Sequence, residues 1–175
     1  MKLFFTLSLV LFGSTSLLGQ DVNKAIAQQI TTADSVLIIS HLITKEYAVR
    51  VEDLPGEGQK YIEPPAFLNG RVVNDSIVKQ KRLLSNTERQ ELSAILGLSI
   101  NKTRFSATTC FYPRHSILIY RQGDMSYIDI CFSCRAVVSS VDIEISRANF
   151  IEKKWTLLEQ FFKAKRLTYG LTDED

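Results

Sequence analysis

The sequence is poor in residues that break or crosslink a chain. Its 175 residues include only four prolines, eight glycines and three cysteines. Proline and glycine at that level exclude collagen-like and low-complexity architectures. Three cysteines are too few for a disulfide framework to stand in for a core. A surplus of one charge is missing as well, since 21 Lys and Arg face 19 Asp and Glu. Without a basic field, nucleic acid is not an expected partner. No Gly-x-Ser-x-Gly, Walker loop or His-Glu-x-x-His occurs, so the commonest hydrolase, nucleotide and zinc-protease signatures are absent.

The remaining composition, 45% hydrophobic and 23% charged, is that of a chain able to bury a core. One long apolar run occurs, at the start. Lys2 is followed by apolar residues from Leu3 to Phe12 and then by small and polar ones. The run is about half of the ~20 residues that a membrane-spanning helix needs. Residues 1–20 therefore read as a cleaved signal peptide, and residues 21–175 as a single α+β domain, secreted or periplasmic. No later stretch approaches membrane-spanning length, so no integral membrane segment is expected after cleavage.

Within that domain, Val22, Ala25, Ile26, Ile30 and Ala33 recur at helical spacing. Val36 to Ile43 and Tyr47 to Val51 read as strands, and residues 53–70, with three prolines and three glycines, as a loop. Val72 to Leu83 reads as a further strand. Ser85-Asn-Thr-Glu88 matches a capping box before a helix carrying Leu92, Ile95 and Leu96, with Gly97 expected as its left-handed stop. Ser116–Arg121 and Ser126–Phe132 flank Gln122-Gly-Asp124 as a hairpin. Val141, Ile143 and Ile145 alternate with acids like a half-exposed strand. Asn149 is the expected cap of a last helix presenting Ile151, Trp155, Leu158 and Phe162. The expected fold is an antiparallel sheet of about five strands packed on two or three helices.

Chemistry-bearing residues concentrate in one segment. Cys110, His115, Cys131 and Cys134 form the pattern Cys-x4-His-x15-Cys-x2-Cys, whose x15 stretch is the hairpin. A hairpin doubles back, so it returns the two later cysteines to the level of the first cysteine and the histidine. Three thiolates and one imidazole make a closed tetrahedral set suited to zinc. The register decides whether they meet. A three-residue loop pairs position 115 with 131, whereas a two-residue loop puts His115 and Cys131 on opposite faces. Leu118 opposite Ile128 fits the first loop, and Ile117 opposite Ile128 or Ile130 fits the second.

Two other readings stand beside zinc. One is a disulfide, Cys131–Cys134 or Cys110–Cys134, with one free thiol. The other is thiol-redox or enzymatic use of Cys131 and Cys134, where Arg135 would favour a thiolate, although the motif ends a strand instead of opening a helix. Haem attachment needs histidine where Arg135 stands, and a zinc deaminase needs proline where Ile130 stands. His41, inside an apolar strand, reads as a satisfied histidine of the core or its margin.

The segment Cys110-x2-Pro-Arg-His115 … Tyr127-Ile-x-Ile-Cys131-Phe-x-Cys134 resembles a group of exported bacterial proteins. These carry a Cys-x2-Pro-x-His hairpin closing in Ile-Cys-Phe-x-Cys, followed by a helix with aromatic residues. The resemblance spans roughly Cys110 to Gly170. It implies that Pro113, Arg114 and His115 belong with the cysteines as one feature, and it implies no activity. The expected function is thus a non-enzymatic binding or structural domain with a Cys3His hairpin site holding zinc.

Overall fold

Ser35 to His41 is apolar with little alternation, which is the pattern of a strand covered on both faces. It is an inner strand, second from one edge of a five-stranded sheet. The computed structural model describes residues 22–42, 67–68, 72–73, 75–98, 111–143, 145 and 150–171. In chain order the elements are α1 (Val22–Thr32), β1 (Ser35–His41), β2 (Phe67–Leu68), β3 (Val72–Val73), β4 (Val78–Leu83), α2 (Asn86–Leu96), β5 (His115–Arg121), β6 (Asp124–Cys131), β7 (Ala136–Ser139) and α3 (Glu152–Ala164). The main sheet runs β4-β1-β5-β6-β7 with every neighbour antiparallel. β2 and β3 form a separate two-stranded pair. This is the α+β architecture expected from the sequence.

The three helices supply one side of a large apolar cluster and the sheet supplies the other. Ile26 and Ile30 of α1, Leu92 and Leu96 of α2, and Leu158, Phe161 and Phe162 of α3 pack with Val36, Ile38, Ile117, Ile119, Ile128 and Ile130. Full burial of each such side chain contributes roughly 1.5–3 kcal/mol. On the opposite face of the sheet, Ile39, Leu118 and Tyr127 pack with Ile77. One cation ties the helix layer together. Lys154 of α3 is fully buried, and its Nζ donates to Asn23 Oδ1 of α1 (2.9 Å) and to the Leu96 carbonyl of α2 (2.8 Å).

The capping box forms as read: the Glu88 amide donates to Ser85 Oγ, and the Ser85 amide donates to Glu88 Oε2. Other elements differ from expectation for identifiable reasons. Gly97 has φ −74°, an ordinary helical value, so no left-handed stop is made. Its value is proximity, because a Cβ there would lie 3.2 Å from Ala27 Cβ of α1 and 3.0 Å from the Ser93 carbonyl oxygen. The stretch Val72 to Leu83 is not one strand. A turn at 75–77 separates β3 from β4. Val141 to Ile145 is not a strand either. Local bonds from the Ile143 amide to the Ser140 carbonyl and from the Ile145 amide to the Ile143 carbonyl fold it back, and Ser139 Oγ donates to the Ile143 carbonyl. The strand lies earlier, at Ala136–Ser139, where two valines follow the cysteines. α3 opens after Ile151 with no side-chain cap. Asn149, Tyr47 to Val51 and residues 1–20 lie outside the described residues.

The hairpin loop has two residues, not three. Gln122 (φ 51°) and Gly123 (φ 86°) both occupy the left-handed region, as a type I′ turn requires, and Asp124 pairs with Arg121. The Gln122 amide donates to Asp34 Oδ2 (2.6 Å), bracing the turn against the corner between α1 and β1. Gly123→Val would force a β-branched residue to positive φ and should lower unfolding free energy by about 1–2 kcal/mol. Gln122→Gly should leave it within about 0.5 kcal/mol, relief of strain offsetting the more flexible unfolded chain. Urea midpoints of the two variants test this, and a Gly123→Val protein as stable as the parent would contradict it.

Candidate functional site

With the two-residue loop the register pairs His115 with Ile130 and Ser116 with Asp129. Alternation then assigns the faces. His115, Ile117 and Ile130 point to the helices. Ser116, Asp129 and Cys131 point to the other side. His115 and the bonded pair Cys131 and Cys134 are therefore on opposite faces of the sheet.

Cys131 ends β6 and pairs with Ala136 of β7 across the turn 132–135, in which Arg135 takes φ 53°. Cys131 and Cys134 are joined by a disulfide with their Cα atoms 5.2 Å apart. The Cys134 amide donates to Cys131 Sγ (3.1 Å), and Ser133 Oγ lies 3.5 Å from the same sulfur. Phe111 and Ala136 pack against the pair, leaving Cys131 1% and Cys134 5% exposed. Cys110 lies outside the described residues. Among the described residues no three of His, Cys, Asp and Glu gather as a cation site.

His115 serves a different contact. Its ring meets the edges of Phe132 and Phe162, with centroids 5.1 and 5.2 Å away. Burial, with the positive charges that His41 and Arg114 can carry, pushes it down to about 3 against a bond to the Tyr169 backbone. Its Nε2 finds no partner among the described residues. Arg114 stacks its guanidinium 5.7 Å over the Tyr169 ring, and Lys79 lies 6.0 Å from the same ring. Gly170 (φ 75°) passes so close that a Cβ would fall 2.5 Å from Arg114 Cδ. The Tyr169 amide donates to Gln80 Oε1, which also accepts from Ser40 Oγ. Arg114 and His115 thus anchor the segment 167–171 over the end of the sheet. Pro113, buried, precedes β5, where its missing N–H breaks no ladder. Arg135 reaches to 2.5 Å from Glu152 in the first turn of α3, an exposed ion pair worth little by itself.

The sequence reading did not find a polar chain on the sulfur side. His41 Nε2 lies 3.1 Å from Ser116 Oγ, and Ser116 Oγ lies 2.6 Å from Asp129 Oδ1. All three residues are buried. His41 Nδ1 faces the Leu42 carbonyl at 3.0 Å, an acceptor only, so Nδ1 carries the proton. The Ser116 hydroxyl donates to Asp129 Oδ1 and lies against His41 Nε2, so the acid and the imidazole share one hydroxyl. Burial pushes Asp129 up to about 7, against the Ser116 hydrogen bond, and pushes His41 down. Both directions follow from the cost of burying charge and favour the uncharged form of each side chain. Asp129 was traceable in principle, as an acid flanked by Ile128 and Ile130 and placed opposite Ser116 once the loop length is known.

Comparison with models of protein families, with curated proteins and with solved structures finds no match to this chain.

The buried histidines and Asp129 act oppositely on stability. His115 titrates near 3 folded and 6.5 unfolded, so its contribution is complete above 6.5 and is lost as pH falls toward 3. Asp129, near 7 folded and 3.8 unfolded, favours the fold at low pH and loses that contribution as pH rises to 7. His115→Phe should therefore flatten the acid limb of the stability profile by about 1.4 kcal/mol per pH unit between roughly pH 6 and 4. Urea unfolding at a series of pH values measures this, and an unchanged slope would assign the limb to other groups.

Proposed function

We propose that the chain is an exported α+β domain, secreted or periplasmic, that works by binding or structural support and not by catalysis. In this reading Cys131–Cys134 is its structural bridge and Cys110 its free thiol. The observation that carries this is the pair of buried sulfurs bonded to each other in the β6–β7 turn, on the face opposite His115. Sulfurs joined to each other offer no thiolate to a metal, and zinc held by all four residues would need the bridge opened and the imidazole brought across the sheet. A closed loop of four residues removes little unfolded-chain entropy, about 2 kcal/mol by the loop-closure estimate, so the bridge trims a turn that the strand ladder already closes. Disulfides persist where the compartment is oxidising, which agrees with Lys2 and the apolar run Leu3 to Phe12 as an export address. Among the described residues no helix is long and apolar enough to cross a membrane.

Intact mass of the protein collected from an exporting host tests each part. The expected species starts near Gln20 or Asp21, gains two mass units on reduction, and yields one titratable thiol per unfolded, unreduced chain. Three free thiols with one bound zinc per chain would overturn the bridge, and an amino terminus at Met1 would overturn export.

A further inference from the structure

β4 is an edge of the main sheet, with β1 its one neighbour among the described residues. The Leu84 amide donates to the Val36 carbonyl (2.9 Å), and the register pairs Arg82 with Ile38 and Gln80 with Ser40. Antiparallel ladders alternate, so Gln80, Arg82 and Leu84 direct their amides and carbonyls at β1. Those of Lys81 and Leu83 then point out of the sheet, where nothing among the described residues pairs with them. The side chains of the same two residues share the face opposite the helices. Lys81 stands beside Ile39, and Leu83 beside half-buried Leu37. Leu83 is 64% exposed, a large apolar side chain left in water along an open ladder. The other edge differs. β7 has four residues, and Ser139 at its end bonds to the Ile143 carbonyl of the segment that folds back after it.

We propose that β4 is a docking edge for an extended acidic segment of another protein, which adds to the sheet as a further strand. This rests on the binding role proposed above and names the class of partner. In strand addition the main-chain bonds, here to Lys81 and Leu83, supply affinity, and the side chains supply choice. On β4 that choice is one of charge. Val78–Leu83 carries Lys79, Lys81 and Arg82 and no acid. Asp75 lies 2.9 Å from Lys81, but both side chains are exposed and such a pair holds its lysine weakly. Glu88 lies 2.7 Å from Arg82. Lys79 lies over the Tyr169 ring and meets no carboxylate among the described residues. A second copy of β4 would set cation against cation across the new ladder, which disfavours pairing. Lysines on an edge suppress indiscriminate strand addition, and the same lysines admit a strand whose acids answer them. An apolar guest residue opposite Leu83 covers the side chain that the fold leaves in water.

The probe is a fluorescein-labelled peptide, Thr-Val-Glu-Glu-Thr-Glu-Val-Thr, titrated with the full exported chain at low ionic strength and read by anisotropy. Laid antiparallel on β4, it sets its first valine opposite Leu83 and the next two glutamates opposite Arg82 and Lys81. Saturable binding of one peptide per chain is expected. Lys81→Glu, a change at an exposed side chain, should weaken binding about tenfold, an attraction across the ladder becoming a repulsion. That variant should in turn prefer a peptide with lysine in place of the glutamate opposite it. N-methylation of the peptide amides opposite Leu83 and Lys81 keeps every charge and should abolish binding to the parent. Binding that survives N-methylation, or that is indifferent to Lys81→Glu, overturns the docking edge. So does a parent chain that fails to bind the peptide, or one that sediments as a dimer which Lys81→Glu disperses, since the edge then belongs to a second copy. None of these results touches the bridge or the processed amino terminus. Three free thiols or a start at Met1 would overturn the earlier reading whatever the peptide does.

Discussion

A two-residue turn governs what this fold can do. Gln122 and Gly123 adopt the paired positive φ values of a type I′ turn, and every pairing from Arg121 with Asp124 back to His115 with Ile130 follows from it. One residue more in that loop would carry each side chain of a strand to the other face. As built, the register sends His115 toward the helices and Cys131 away from them. A cluster that looks contiguous along the chain is thereby divided into two environments. One is aromatic and anchors a peptide segment; the other is sulfur-bearing and lined with hydrogen-bonding side chains.

The division accounts for how much the sequence could reveal. The sheet and helices were legible because their signals are periodic and local. The apolar strand at Val36–Ile39, the capping box at Ser85 and the aromatic stripe of Trp155, Leu158 and Phe162 each act through neighbours a few residues away. The failures were at punctuation. Gly97 is required by the approach of Ala27 from another helix, and nothing adjacent in sequence reports that contact. Val141 to Ile145 alternates as a strand should, yet Ser139 and local backbone bonds coil it. At the candidate site, the bridge was among the readings because Cys-x2-Cys is close enough to pair. The His41–Ser116–Asp129 chain was not, because its members come from three strands and meet only in the finished register.

The motif residues beside the cysteines also acquire plain physical duties. Arg114 and His115 hold Tyr169 and Gly170 through stacking, a backbone bond and close contact. Gln80 receives both the Tyr169 amide and Ser40. The end of the sheet is thus closed by strands β1, β4 and β5 acting on one short segment. Proximity of Pro113-Arg114-His115 to Cys110 in sequence need not reflect shared chemistry with the sulfurs.

Lys154 carries a consequence for how the chain comes to be folded. Its ammonium is shared by Asn23, 131 residues earlier, and by the carbonyl of Leu96. Contacts spanning that distance form late, because the intervening chain must be gathered before they return any free energy. The first helix already packs on α2, where Ala27 meets Gly97 and its carbonyl accepts from Ser93, so what waits for the last helix is the charge that joins all three.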